Sequence, residues 1–123
     1  MTLAGTRVMV VEDEAVIAMM IEDLLIDLDC DVVMTAARLE EAREKASNVS
    51  IDVALLDVNL AGQLSYPVAT VLESRAIPIV FVTGYDVAEL PFEWQHVPVL
   101  SKPFSVDELA RALLITMRSA KPS

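Results

Sequence analysis

Positive charge is scarce in this chain. Lys and Arg number 9 against 19 Asp plus Glu, leaving a formal net charge of −10. Unassisted binding to DNA, RNA or an anionic membrane is disfavoured, because phosphate contacts need cations. A basic protein partner is not excluded. Cysteine is nearly absent. Cys30 stands alone, which rules out an internal disulfide or a multi-thiolate metal centre and leaves a semi-buried thiol as the expectation. No apolar run approaches the roughly 18 residues a membrane span needs. No basic region followed by a long apolar segment opens the chain. A cytoplasmic location without membrane insertion is therefore expected. A phosphate-cradling glycine loop is also missing. The first apolar run leads into Glu12-Asp13-Glu14, which disfavours a dinucleotide site. Internal repeats and low-complexity linkers are lacking too.

What is present is apolar. Hydrophobic residues make up 54% of 123 residues, enough for one domain with a core on both faces of a sheet. A first strand is predicted over residues 6–12. Val16, Ile17, Met20, Ile21, Leu24, Leu25 and Leu28 recur at three- and four-residue spacing. They predict a helix over 14–28 with one wide apolar face, capped by Asp13. Strand 32–36 and helix 39–47 follow. Val53-Ala54-Leu55-Leu56 is the most apolar run and ends in Asp57, as a buried central strand would. Gly62 and Pro67 bracket a turn, and Pro67 fits the first turn of a helix over 66–74. A strand through Ile79-Val80-Phe81-Val82 delivers Thr83. Pro91 and Pro98 leave room for only a short helical stretch before the strand Val97-Pro98-Val99-Leu100, which delivers Ser101 and Lys102. Ser105 and Glu108 form a capping box for a last helix over 106–117. Residues 119–123 are expected to be a loose tail after a single domain over 1–118.

Strands alternating with helices call for a parallel sheet covered on both faces. Ligands then bind at the C-terminal strand edges. Glu12, Asp13 and Asp57 would crowd there and repel one another unless a cation joins them. Mg²⁺ suits oxygen ligands and often bridges carboxylate to phosphate. Asp13 and Asp57 are the expected direct ligands, with Glu12 acting partly through water. Lys102 could pair with Asp57 and then with an added phosphoryl group. Thr83 could donate a hydroxyl hydrogen bond to it. Gly84 and the amides after Asp57 leave space and N–H groups for the remaining oxygens.

These pieces carry a resemblance. Val10-Val11-Glu12-Asp13-Glu14, Ala54-Leu55-Leu56-Asp57-Val58-Asn59-Leu60, Phe81-Val82-Thr83-Gly84 and Ser101-Lys102-Pro103-Phe104 together resemble the receiver domain of bacterial response regulators. The resemblance implies an α/β, flavodoxin-like doubly wound fold with five parallel strands in the order 2-1-3-4-5. It also implies that Asp57 accepts a phosphoryl group from a histidine kinase or histidine phosphotransfer protein. Glu12 and Asp13 would be the acidic pair, and Asn59 would offer its backbone carbonyl to Mg²⁺. Thr83 would be the switch hydroxyl and Lys102 the phosphate-binding lysine. Output would pass to a downstream protein, with a homodimer among the allowed assemblies. Two departures stand out. Val99 occupies the place of the usual switch aromatic, and the proline-broken stretch before Lys102 implies a shortened or irregular fourth helix. Phe81-Val82-Thr83-Gly84-Tyr85 resembles an atypical alphaproteobacterial subgroup, many of whose members stand alone. Tyr85 then either replaces the missing aromatic or simply covers a helix edge, while Tyr66 reads as packing, Trp94 and Phe92 as local anchors or part of a partner surface, and Met19, Met20 and Met117 as core or helix-edge filler.

Two other classes compete. A binding module that ignores phosphate would keep the fold without needing metal at Asp57. A small phosphohydrolase with an Asp nucleophile would turn over phosphomonoesters, but the chain lacks the length for a substrate-holding cap.

Overall fold

The computed structural model describes residues 3–84 and 90–120. In chain order the elements are β1 (Arg7–Val11), α1 (Ala15–Asp27), β2 (Asp31–Ala36), α2 (Leu39–Asn48), β3 (Val53–Asp57), β4 (Asn59–Leu60), β5 (Gln63–Leu64), α3 (Tyr66–Ser74), β6 (Ile79–Thr83), a 3₁₀ turn (Phe92–Trp94), β7 (Val99–Ser101) and α4 (Val106–Ala120). Five strands form one parallel sheet in the order β2-β1-β3-β6-β7. This is the expected doubly wound order, with β4 and β5 standing outside it as a small antiparallel hairpin.

Both sheet faces are buried, which explains why the strand sequences are continuously apolar rather than alternating. Met9, Val11, Ala54, Leu56, Ile79 and Phe81 belong to a core shared with α2 and α3. Val8, Val10, Leu55, Val80, Val82 and Leu100 belong to the opposite core, with Ile21 and Leu25 of α1 and Leu109 and Leu113 of α4. Pro98 lacks an N–H, yet its carbonyl accepts from Phe81 N at 2.9 Å. Assigned β7 nevertheless begins only at Val99, later than the run Val97-Pro98 suggested. The Ser105–Glu108 box closes as expected. Ser105 N donates to Glu108 Oε1 at 3.0 Å, and Glu108 N to Ser105 Oγ at 3.1 Å. α4 continues past 117 to Ala120.

Three expectations need correction. Asp13 does not cap α1. Glu14 is the cap residue, without a side-chain cap of its own, and its N–H donates to Glu12 Oε2 at 3.1 Å. The Asp13 carboxylate joins the acidic cluster, as expected. Met19 and Met20 are not in the core: they are 64% and 50% exposed, and Val16 is more exposed still. The apolar stripe of α1 is wider than the surface that the sheet and α4 cover. Cys30 is buried rather than semi-buried, with its thiol 3.6 Å from the Leu3 carbonyl. Burial, then the neighbouring Asp29 and Asp31, push that thiol pKa up.

Between residues 90 and 98 the chain is irregular, as the prolines imply. Among the described residues it holds only the 3₁₀ turn at Phe92–Trp94. Trp94 is buried and anchors it. Its ring stacks on Tyr66 at 5.8 Å, meets Phe81 edge-on at 5.9 Å, and stacks on His96 at 6.4 Å. His96 Nε2 lies 3.0 Å from Glu73 Oε2 on α3. Tyr66 is thus packing, as read. Tyr85, and the end of the tail at 121–123, lie outside the described residues.

Candidate functional site

Strand register builds the site. Val11 is level with Leu56, Asp57 with Val82, and Thr83 with Ser101. One step beyond each partner, Glu12, Asp57, Thr83 and Lys102 therefore emerge at adjacent points of one sheet edge. Backbone bonds hold that edge in place. Glu12 N donates to Ala36 O at 3.0 Å, Val58 N to Val82 O at 3.2 Å, and Lys102 N to Thr83 O at 3.0 Å. The Lys102–Pro103 peptide is cis.

Lys102 is the centre of charge. Its Nζ sits 2.8 Å from Glu12 Oε1 and 3.0 Å from Asp57 Oδ2. Sequence reasoning anticipated the second contact and missed the first. Glu12 is almost wholly buried, and the Lys102 ammonium is what compensates its Oε1. Burial alone would lower the Lys102 pKa, but the hydrogen bonds and charges of Glu12 and Asp57 outweigh it and raise the value. Asp57 Oδ1 accepts from Asn59 N at 3.1 Å. Asn59 Oδ1 in turn accepts from Gly62 N at 2.7 Å. That bond closes the β4–β5 turn, in which Ala61 and Gly62 adopt positive φ of 51° and 90°, the geometry of a primed hairpin turn. The sequence signalled a turn here but not the hairpin.

Asp13 completes the acidic set. Ligand oxygens of Glu12, Asp13 and Asp57 lie within 4.8 Å of one another. An all-oxygen donor set of this charge, with one ammonium beside it, fits a small hard divalent cation. In front lies an open cleft of about 410 Å³ lined by Asp13, Glu14, Asp57, Asn59, Ala61, Thr83, Gly84 and Lys102. The structure therefore brings every predicted site residue together: Glu12 behind the cleft, the others lining it. It adds Glu14 and Ala61 at the rim. Val99 stands on β7, half-buried against the α2–α3 core.

Comparison with known proteins agrees with the geometry. The response regulator receiver domain family matches residues 8–114. The transcriptional regulatory protein PdtaR of Mycobacterium tuberculosis is 31% identical over 111 residues, covering 87% of this chain and 54% of that protein. The chain thus spans about half the length of the curated relatives it first matches. Among solved structures, SdrG from Sphingomonas melonis Fr1 is 42% identical with a TM-score of 0.83, over 95% of this chain and 99% of that one. The BeF3-activated conformation of SdrG superposes with a TM-score of 0.80 at 42% identity, over 93% and 98% of the two chains. The response regulator PhyR from Brucella abortus is 28% identical with a TM-score of 0.80, over 96% of this chain and 50% of that one. No helix among the described residues is long and apolar enough to cross a membrane. A parallel sheet whose register sets Asp57 beside Lys102, and a match running almost from end to end, have one reading: the chain belongs to the response regulator receiver domain family, as a CheY-like domain related to SdrG and PhyR.

Proposed function

We propose that Asp57 is the phosphoacceptor of this receiver, within a unit spanning residues 1–118, and that a histidine kinase or histidine phosphotransfer protein supplies the phosphoryl group. One observation carries the reading: Lys102 Nζ lies 3.0 Å from Asp57 Oδ2 at the mouth of the cleft. A carboxylate oxygen of Asp57 attacks phosphorus, the bond from phosphorus to the donor nitrogen or oxygen breaks, and the leaving group departs with that electron pair and takes up a proton. Lys102 meets the transferred oxygens with its charge. Thr83, at the next strand end, offers a hydroxyl, and Gly84 leaves room beside it. Asp13, Asp57 and the Asn59 carbonyl are suited to hold Mg²⁺, with Glu12 behind them. That ion would neutralise charge on the phosphoryl group.

We assign the chain to the subgroup marked by Phe81-Val82-Thr83-Gly84-Tyr85, acting in the cytoplasm on a protein partner. The 42% identity to SdrG supports this. Acetyl phosphate with Mg²⁺ should add one phosphoryl group by intact mass, and D57N should add none. A mass shift retained in D57N would reassign the acceptor. Turnover of phosphomonoesters would favour the hydrolase reading instead.

A further inference from the structure

Among the described residues the sheet has two outer edges, and they are not alike. β7 has only three residues, and a short edge strand is its own protection. β2 has six, more than any other strand of the sheet. Its middle, Val32-Val33-Met34, is uncharged and half-buried. An edge of this length and composition invites pairing with another chain. The ladder to β1 fixes which backbone groups that edge presents. Asp31 N donates to Thr6 O at 2.8 Å, and Ala36 O accepts from Glu12 N at 3.0 Å. Backbone groups alternate along a strand, so those of Val32 and Thr35 face away from β1. The register slips between Val8 and Met9, a bulge that twists β2 between these two positions.

Lys45 reaches that edge from α2. Its Nζ donates to Thr35 O at 2.9 Å and to Glu41 Oε2 at 3.0 Å. Glu41 is itself fixed. Its Oε1 accepts from Ala37 N at 3.1 Å, and this bond, then the one from Lys45, holds its carboxyl below the usual range. The lysine side chain is 33% exposed, so it lies along the protein rather than out in water. We propose that Lys45 is a guard for β2, and that the guarded edge is a latent pairing site for a second copy of this chain. While the ammonium occupies Thr35 O, an incoming backbone amide cannot.

Symmetry makes the second copy the partner to exclude. Two antiparallel β2 strands centred between Val33 and Met34 set Val32 of each copy opposite Thr35 of the other, so outward groups meet outward groups. Asp31 falls opposite Ala36, and no like charges face each other across the seam. The net charge of −10 repels copies in general, but salt screens it within about 8 Å. Lys45 acts at the seam itself. Pairing would break its bond to Thr35 O and bring two ammonium groups towards one joined sheet.

Three variants test the guard. Lys45→Ala removes the ammonium, Lys45→Met keeps the stem without it, and Lys45→Arg keeps a cationic donor. Size-exclusion chromatography with light scattering on these and wild type, from about 10 µM to about 1 mM, should be joined to amide hydrogen exchange. K45A and K45M should both associate about tenfold more tightly than wild type, or more, and gain protection at the Val32 and Thr35 amides. K45R should behave as wild type. The proposal is overturned if folded K45A stays as monomeric as wild type, whatever K45M does, since methionine adds apolar surface. It is overturned equally if the protection gained lies outside residues 31–36, or if K45R associates as K45A does. A wild-type dimer already protected at Val32 and Thr35 would also sink it. If K45A does not fold, the protection pattern of K45M against the K45R control decides.

Discussion

Replacing Asp13 with asparagine should make the metal-free protein more stable. The carboxylates of Glu12, Asp13 and Asp57 approach within 4.8 Å, and Lys102 pairs with Glu12 and Asp57 only. Two like charges at that separation repel by roughly 3 kcal/mol at an effective dielectric of about 20. Asp13 is half-exposed, so water and salt relieve most of this, leaving about 1 kcal/mol to be gained. In a domain of this size that is about 4 °C in Tm. Asparagine is nearly isosteric and leaves packing intact. The assay is thermal and urea unfolding in a chelator and again with Mg²⁺. At a Mg²⁺ concentration about ten times Kd, wild type should gain about 1.4 kcal/mol. D13N should gain much less, so the order of stability narrows or inverts. If D13N is the less stable protein without metal, Asp13 makes a favourable contact and the crowding argument is wrong.

Two further tests address the rest of the molecule. W94A should cost about 3 kcal/mol in urea unfolding, because it empties a site packed by Tyr66 and Phe81; a loss below about 1 kcal/mol would mean the ring is not what anchors the 3₁₀ turn. The raised Cys30 pKa means the native state favours the neutral thiol, so its contribution to stability is complete below the ordinary thiol pKa near 8.5 and is lost as pH rises through the higher folded value. Stability against unfolding should therefore fall more between pH 8 and 10 in wild type than in C30A, and equal slopes would contradict the shift.

Much of this site was legible from residues because parallel strands advertise themselves. A strand buried on both faces is apolar until it stops, so Asp57 and Thr83 could be placed at strand ends without knowing the register. The capping box at Ser105 is local chemistry and was equally readable. What stayed hidden depends on distance through space. The Glu12–Lys102 pair joins residues with two strands between them, and no spacing rule reports it. Asp13 was rightly placed in the acidic cluster, but its second reading as a helix cap failed, because an acid before a helix looks the same whether or not it caps it. The core reading of Met19 and Met20 failed because helical periodicity shows that a face is apolar, not how much of it is covered. The hairpin after Asp57 needed Ala61 at positive φ, a conformation that alanine does not advertise.

The strand order also has a consequence for how the chain matures. β1, β2 and β3 lie together at one side of the sheet, and β6 and β7 add outward in chain order. Synthesis can thus lay down the sheet progressively, without waiting for a late strand to insert between early ones. The acids arrive first, on β1 and β3, whereas their compensating ammonium follows β7. Any intermediate lacking β7 holds the crowded carboxylates without Lys102 and is electrostatically penalised. Addition of the last strand brings Lys102 against Glu12 and Asp57, offsets part of that repulsion and completes the cleft, so a half-built molecule has neither a compensated acidic edge nor a finished cleft.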